Sequence, residues 1–180
     1  MSQRQRTMTV AEYMLPIERF PHLDARSTIR AAISTIRSGF TAAGTFGFRN
    51  ALVVDDQGAL VGTVSMPVVL RGLAPVALRK PMKDIQWSFT SDRTGPEELF
   101  WDRVLAGEAG EAAEQPVGEV ARPVPATVSP RDSLSRALTL ILVHEVPLLP
   151  VVDEGRVVGV IRLVDIFNLV AGVIGNPKRD

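Results

Sequence analysis

Arg162 and Asp165, three positions apart, are the residues of this chain best placed to do chemistry. An apolar run from Arg156 to Ile161 reads as a strand, and an apolar stretch of helical character starts at Leu163. The pair therefore stands where a strand passes into a helix. A guanidinium grips a phosphate through two parallel N–H bonds. A carboxylate accepts hydroxyl groups. The first turn of a helix adds unpaired N–H groups and a positive dipole, both favourable to phosphate. Two roles are open to the pair. It is an anion and hydroxyl site, or Asp165 caps the helix and Arg162 is a solvated edge residue.

Other reactive constellations are not assembled. The chain has no cysteine, which excludes disulfides, thiolate metal sites and cysteine nucleophiles. His22 and His144 are the two histidines. His144-Glu145 lacks the second histidine of a zinc-binding helix, and Pro147 breaks any helix there. Gly39, Gly44 and Gly47 are not followed by the Lys-Ser/Thr of a phosphate loop, and no Gly-x-Ser-x-Gly elbow occurs. No catalytic residue and no metal set is assigned, and an enzyme is not expected.

The elements that must position the pair occur twice. Ala51-Leu-Val-Val-Asp-Asp-Gln-Gly-Ala-Leu-Val-Gly-Thr-Val64 corresponds to Leu149-Pro-Val-Val-Asp-Glu-Gly-Arg-Val-Val-Gly-Val-Ile161. Val53 and Val151 are 98 positions apart, Gly62 and Gly159 are 97 apart, and Ile29 and Leu134 are 105 apart. Such self-similarity marks a duplicated unit with clefts between its halves. Ser65 then occupies the place of Arg162, and Val68 that of Asp165.

Each unit reads as helix, strand, turn, strand, helix. Ile29, Ala32, Ile33 and Ile36 form one stripe of a helix capped by Ser27 or Thr28. Strands Ala51 to Val54 and Ala59 to Val64 flank the turn Asp55 to Gly58, and Met66 to Leu73 is helical. The second unit has helix Ser133 to Val143, strands Leu149 to Val152 and Arg156 to Ile161, and helix Leu163 to Val170. The strands are nearly all apolar and are expected to be buried on both faces. Thr9 to Met14 suits a first turn with Thr9 and Glu12 as a capping box. The glycines from Ser38 to Phe48 mark a loop peculiar to the first unit. The domain plan is thus repeat one at 9–73, an insertion at 74–115 with a short helix over Glu97 to Leu105, and repeat two at 116–173. Trp87, Phe89, Phe100 and Trp101 concentrate in the insertion, as packing residues or as a partner surface.

With 180 residues and 46% apolar content, the chain can bury a real core. Its 20 basic and 20 acidic residues cancel, so no nucleic-acid footprint is expected. No apolar run approaches the ~20 residues of a membrane span, and no signal core opens the chain. A cytoplasmic protein, not bound to a membrane, is the expectation.

Repeat two, with Val128-Ser-Pro-Arg-Asp-Ser-Leu-Ser-Arg-Ala-Leu138 before Leu149-Pro-Val-Val-Asp-Glu-Gly-Arg-Val-Val-Gly-Val-Ile-Arg-Leu-Val-Asp165, resembles a CBS domain. The two repeats together resemble a tandem CBS pair, or Bateman module, of the stand-alone bacterial kind. The resemblance implies an α/β (α+β) fold: two β-α-β-β-α repeats related by a pseudo-twofold axis. It also implies a regulatory, ligand-sensing role, with an adenine nucleotide held in a cleft between the repeats. AMP, ADP, ATP and S-adenosylmethionine are the candidate ligands.

The family pattern for such a site is Gly-x-x-Ser/Thr-x-x-Asp, the hydroxyl and carboxylate holding phosphate and ribose. Neither half of this chain has the whole pattern. Repeat two keeps Asp165 but has Arg162 in place of the hydroxyl, whereas repeat one keeps Ser65 but has Val68 in place of the acid. The expected ligand site therefore uses Arg162 and Asp165, with Thr127, Val128, Leu149, Pro150 and Val151 as its wall and Ser65 as the remnant of the other site. A homodimer is expected from the apolar helix faces of Leu70, Leu73, Ile166, Phe167, Leu169, Val170 and Val173, together with an unidentified regulated partner. The alternative is a degenerate pair serving as a ligand-free dimerisation or partner-binding scaffold.

Overall fold

The computed structural model describes residues 7–42, 49–75, 96–108 and 110–175. The first half runs β1 (Leu15–Pro16), β2 (His22–Asp24), α1 (Ile29–Ala42), β3 (Asn50–Val54), β4 (Leu60–Ser65) and α2 (Met66–Leu73). After α3 (Pro96–Leu105) come α4 (Leu134–His144), β5 (Leu148–Asp153), β6 (Arg156–Arg162) and α5 (Leu163–Gly175). The described strands form two sheets, ordered β2-β3-β4 and β1-β6-β5.

The duplication is visible down to local irregularities. Leu23 on β2 lies parallel to Val53, and Val128 makes a parallel bridge to the equivalent Val151. The hairpins β3/β4 and β5/β6 both shift register one step later, at Val53/Val54 and at Val151/Val152. Their turns differ, as the extra Gln57 requires. Asp55 Oδ1 accepts from the N–H groups of Gln57 and Ala59 at 2.9 and 2.8 Å. The shorter second turn holds Glu154 and Gly155 at φ 47° and 80°, the left-handed backbone a two-residue hairpin needs.

The leading segment of each half crosses to the other half. Val10 N–H donates to Asp132 O at 2.9 Å, and Leu134 N–H donates to Met8 O at 2.9 Å. In the mirror arrangement Val117 N–H donates to Ser27 O at 2.7 Å, and Ile29 N–H donates to Gln115 O at 2.9 Å. Next, β1 pairs antiparallel with β6, Leu15 opposite Val160, while Arg122 exchanges two backbone bonds with Thr63 on β4. Here lies the reason for the matched glycines. A Cβ on Gly159 would sit 2.6 Å from Leu15 O, and one on Gly62 would sit 2.5 Å from Arg122 O. The crossing strand leaves room for hydrogen only.

Three apolar clusters follow from this exchange. The first core holds Ile29, Ile36, Val53, Val64 and Val69, completed by Val117 from the second half. The second holds Leu134, Ile141, Leu149, Ile161 and Ile166, completed by Val10 from the first. Phe20, Leu52, Val157 and Val160 form a third cluster joining the two sheets.

Several boundaries differ from those expected. α1 continues through Ser38 and Gly39 to Ala42, so the first-repeat loop is shorter at its start; residues 43–48 lie outside the described ones. β4 is not covered on both faces, since Val61 is exposed. Thr9 Oγ1 donates to Glu12 Oε1 at 3.1 Å instead of capping the backbone of the 3-10 turn Val10–Glu12. In the insertion, Phe100 and Val104 of α3 pack against the first core, and Phe100 meets Trp101 edge-on with centroids 4.9 Å apart. Trp87 and Phe89 lie outside the described residues. No described helix is long and apolar enough to cross a membrane.

Candidate functional site

Arg162 closes β6 opposite Leu148, and Leu163 N–H donates to Pro147 O at 2.9 Å. That bond ties the start of α5 to the start of β5. Asp165 lies in the first turn of α5. The strand-to-helix turn brings the two side chains together: Arg162 Nε donates to Asp165 Oδ2 at 2.6 Å, and its Nη2 donates to Oδ1 at 2.5 Å. The result is a bidentate fork. Its side chains are 25% and 24% exposed, so both groups are shielded yet reachable from solvent. Asp165 thus spends its carboxylate on Arg162, and Arg162 is a partnered group on the rim of the second core.

The remaining residues of the expected wall divide by face. Thr127 is exposed, immediately before buried Val128. Leu149 and Val151 are 0% exposed, with side chains sealed in the second core. Pro150 is also buried, on the opposite face of β5, where Leu148 and Val152 pack into the cluster between the sheets. Polar chemistry at this end of the second sheet is therefore offered by Thr127, Arg162 and Asp165.

Ser65 sits on the other sheet. It is the N-cap residue of α2 with φ −127° and ψ 169°, but its hydroxyl makes no capping bond. Val68, in the place of the acid, is 9% exposed and belongs to the first core. Among the described residues, no group of three or more His, Asp or Glu is placed to hold a metal ion.

A concavity that the sequence did not reveal lies beside α3. It encloses about 430 Å³ between the end of α2, α3 and the 3-10 turn Gly110–Glu114, with Leu73, Phe100, Arg103, Val104 and Glu111 among its lining. Phe100, Arg103 and Val104 share the helical spacing of α3, but nothing in the sequence joins them to Leu73 or Glu111, so only the packing assembles the lining.

The family model of the CBS domain matches residues 117–172. Over that stretch the chain is similar to CBS domains. The whole chain has the fold of a tandem CBS pair. It is similar to the CBS-pair protein CBSX2 from Arabidopsis thaliana, with a TM-score of 0.63 at 20% identity, covering 94% of this chain and 99% of that one. CBSX2 has also been solved in complex with AMP. A CBS domain-containing protein from Bacillus anthracis superposes with a TM-score of 0.64 at 19% identity, over 92% of this chain and 94% of its own. CbpB, in complex with c-di-AMP, gives 0.62 at 14% identity, over 94% and 89%. No curated relative matches the chain in sequence.

Proposed function

We propose that this chain is a regulatory, ligand-sensing CBS pair that binds an adenine nucleotide at the Arg162–Asp165 end of the second repeat, without a reaction of its own. The observation that carries this is the fork itself. A guanidinium and a carboxylate sit side by side at a helix start, partly open to solvent, with the exposed Thr127 on the neighbouring segment. Guanidinium for phosphate and carboxylate for the ribose diol is the division of labour these groups suit. Complexes of two similarly folded proteins with AMP and with c-di-AMP support the same ligand class.

The deciding experiment is titration of the purified protein with AMP, ADP, ATP and S-adenosylmethionine, followed by calorimetry and thermal melting. A ligand at 100 times its dissociation constant adds about 2.7 kcal/mol to the stability of the folded state. Absence of a shift with every one of them at millimolar concentration would replace this proposal with a ligand-free scaffold. That second role has its own supporting observation. α5 carries Phe167, Val173 and Ile174 at 65%, 68% and 73% exposure, an apolar surface suited to a second copy of the chain.

A further inference from the structure

The fork that marks the site also occupies it. Both oxygens of Asp165 accept from Arg162, at 2.6 and 2.5 Å, so a ribose diol must compete with the guanidinium for the same carboxylate. Sugar hydroxyls offer Asp165 hydrogen bonds ionised on one side only, in exchange for a bidentate bond ionised on both sides, which is a losing exchange. A phosphate reverses the balance. It presents Arg162 with an anion of matching geometry, and the carboxylate it displaces becomes available a few ångströms away for the hydroxyls of the same ligand. With about a quarter of each side chain exposed, an incoming anion can reach the pair without unfolding the core.

We infer that the Arg162–Asp165 fork is an anion-operated lock that admits ligands bearing a phosphate next to the ribose and turns away ligands with the same nucleoside but no phosphate. This rests on the nucleotide-binding role proposed above and specifies the class of ligand: nucleoside 5′-phosphates bind, whereas adenosine and S-adenosylmethionine, whose sulfonium is cationic, bind weakly. The first repeat has no such device, because Ser65 and Val68 carry no charge.

The lock makes a prediction that a simple phosphate contact does not: replacing Arg162 must move the two ligand classes in opposite directions. Binding of AMP and of adenosine is to be measured by calorimetry for the native chain, for Arg162→Ser and for Arg162→Met, the last retaining an apolar stem of similar length. AMP affinity is expected to fall at least about tenfold in both variants. Adenosine affinity is expected to rise about three- to tenfold, since Asp165 no longer has a guanidinium partner. Unliganded melting temperatures of both variants establish that each is folded. If adenosine affinity stays unchanged or falls in both folded variants while AMP weakens, the lock is overturned and Arg162 is an ordinary phosphate contact, with nucleotide binding intact. If neither ligand binds the native chain or either variant at millimolar concentration, the nucleotide proposal and the lock fall together.

Discussion

Arg162, Asp165 and Ser65 occupy related positions in the two repeats, yet the structure gives them unequal tasks. Asp165 holds Arg162, whereas the Ser65 hydroxyl makes no capping bond to α2. Asp165→Ala is expected to cost about 1.5–3 kcal/mol of nucleotide binding through lost hydrogen bonds to a charged group. Ser65→Ala should change both binding and stability by less than about 0.5 kcal/mol. Parallel calorimetric titrations and melts of the two variants check the ranking, which fails if Ser65→Ala is the more damaging. The glycines separate just as cleanly. An alanine at Gly155 meets no atom within 4 Å, and its cost is the left-handed backbone alone, about 1 kcal/mol. At Gly159 the added methyl would lie 2.6 Å from Leu15 O, a backbone atom of a paired strand. Gly159→Ala is therefore expected to exceed Gly155→Ala, at about 2–3 kcal/mol or more by urea denaturation. Equal costs would mean that β1 yields easily.

The elements interlock through their leading segments. Val10 is 0% exposed inside a core built mostly from residues after 127, and Val117 is 0% exposed inside a core built mostly from residues before 74. Truncating either one opens a cavity in the opposite half. Val10→Ala and Val117→Ala should each destabilise by about 2 kcal/mol, and each should leave one cooperative unfolding transition, because the halves share strands as well as side chains. Two separated transitions in calorimetry would show instead that the halves melt independently. By the same logic, the fragment 117–172 alone lacks Val10 and β1, and its isolated chain should remain unfolded by circular dichroism. The ends of the helices follow local rules. Ser133 Oγ accepts from Arg136 N–H at 3.2 Å, and Glu145 takes the left-handed conformation, at φ 52°, that ends α4 before Pro147.

At the scale of the whole molecule, apolar surface decides the assembly. Around the last two turns of α5, from Val170 to Gly175, every residue is exposed, including Val170, Val173 and Ile174. A helix that is apolar all round is normally covered. Association of two copies through this surface would recover roughly 25 cal/mol for each Å² of apolar area removed from water. A dimer is expected by light scattering at micromolar concentration, and Phe167→Glu together with Val173→Glu should yield a monomer. A native chain that is already monomeric would end the proposal.

Read without its structure, the chain disclosed its duplication, because equal spacing of Val-Val-Asp and Gly in two stretches survives in one dimension. The helices and hairpins followed, since amphipathic stripes, acid-rich turns and the Pro147 stop are local signals between near neighbours. The pairing of Arg162 with Asp165 was not read: the two residues offered a ligand site, or a helix cap beside a solvated edge residue, and the turn into α5 instead closes a bidentate ion pair. The exchange of leading segments was not legible. Leu15 and Arg122 carry no mark of a partner 145 or 59 positions away at Val160 and Thr63; only Gly62 and Gly159 hint at it, and a glycine does not say which strand it admits. The wall of the site was hidden for a related reason. Leu149 and Val151 alternate with Leu148, Pro150 and Val152 along β5, and both sets are apolar. A strand covered on both sides has no polar face in its sequence to distinguish core from cleft, so only the tertiary packing decided that Leu149 and Val151 belong to the second core.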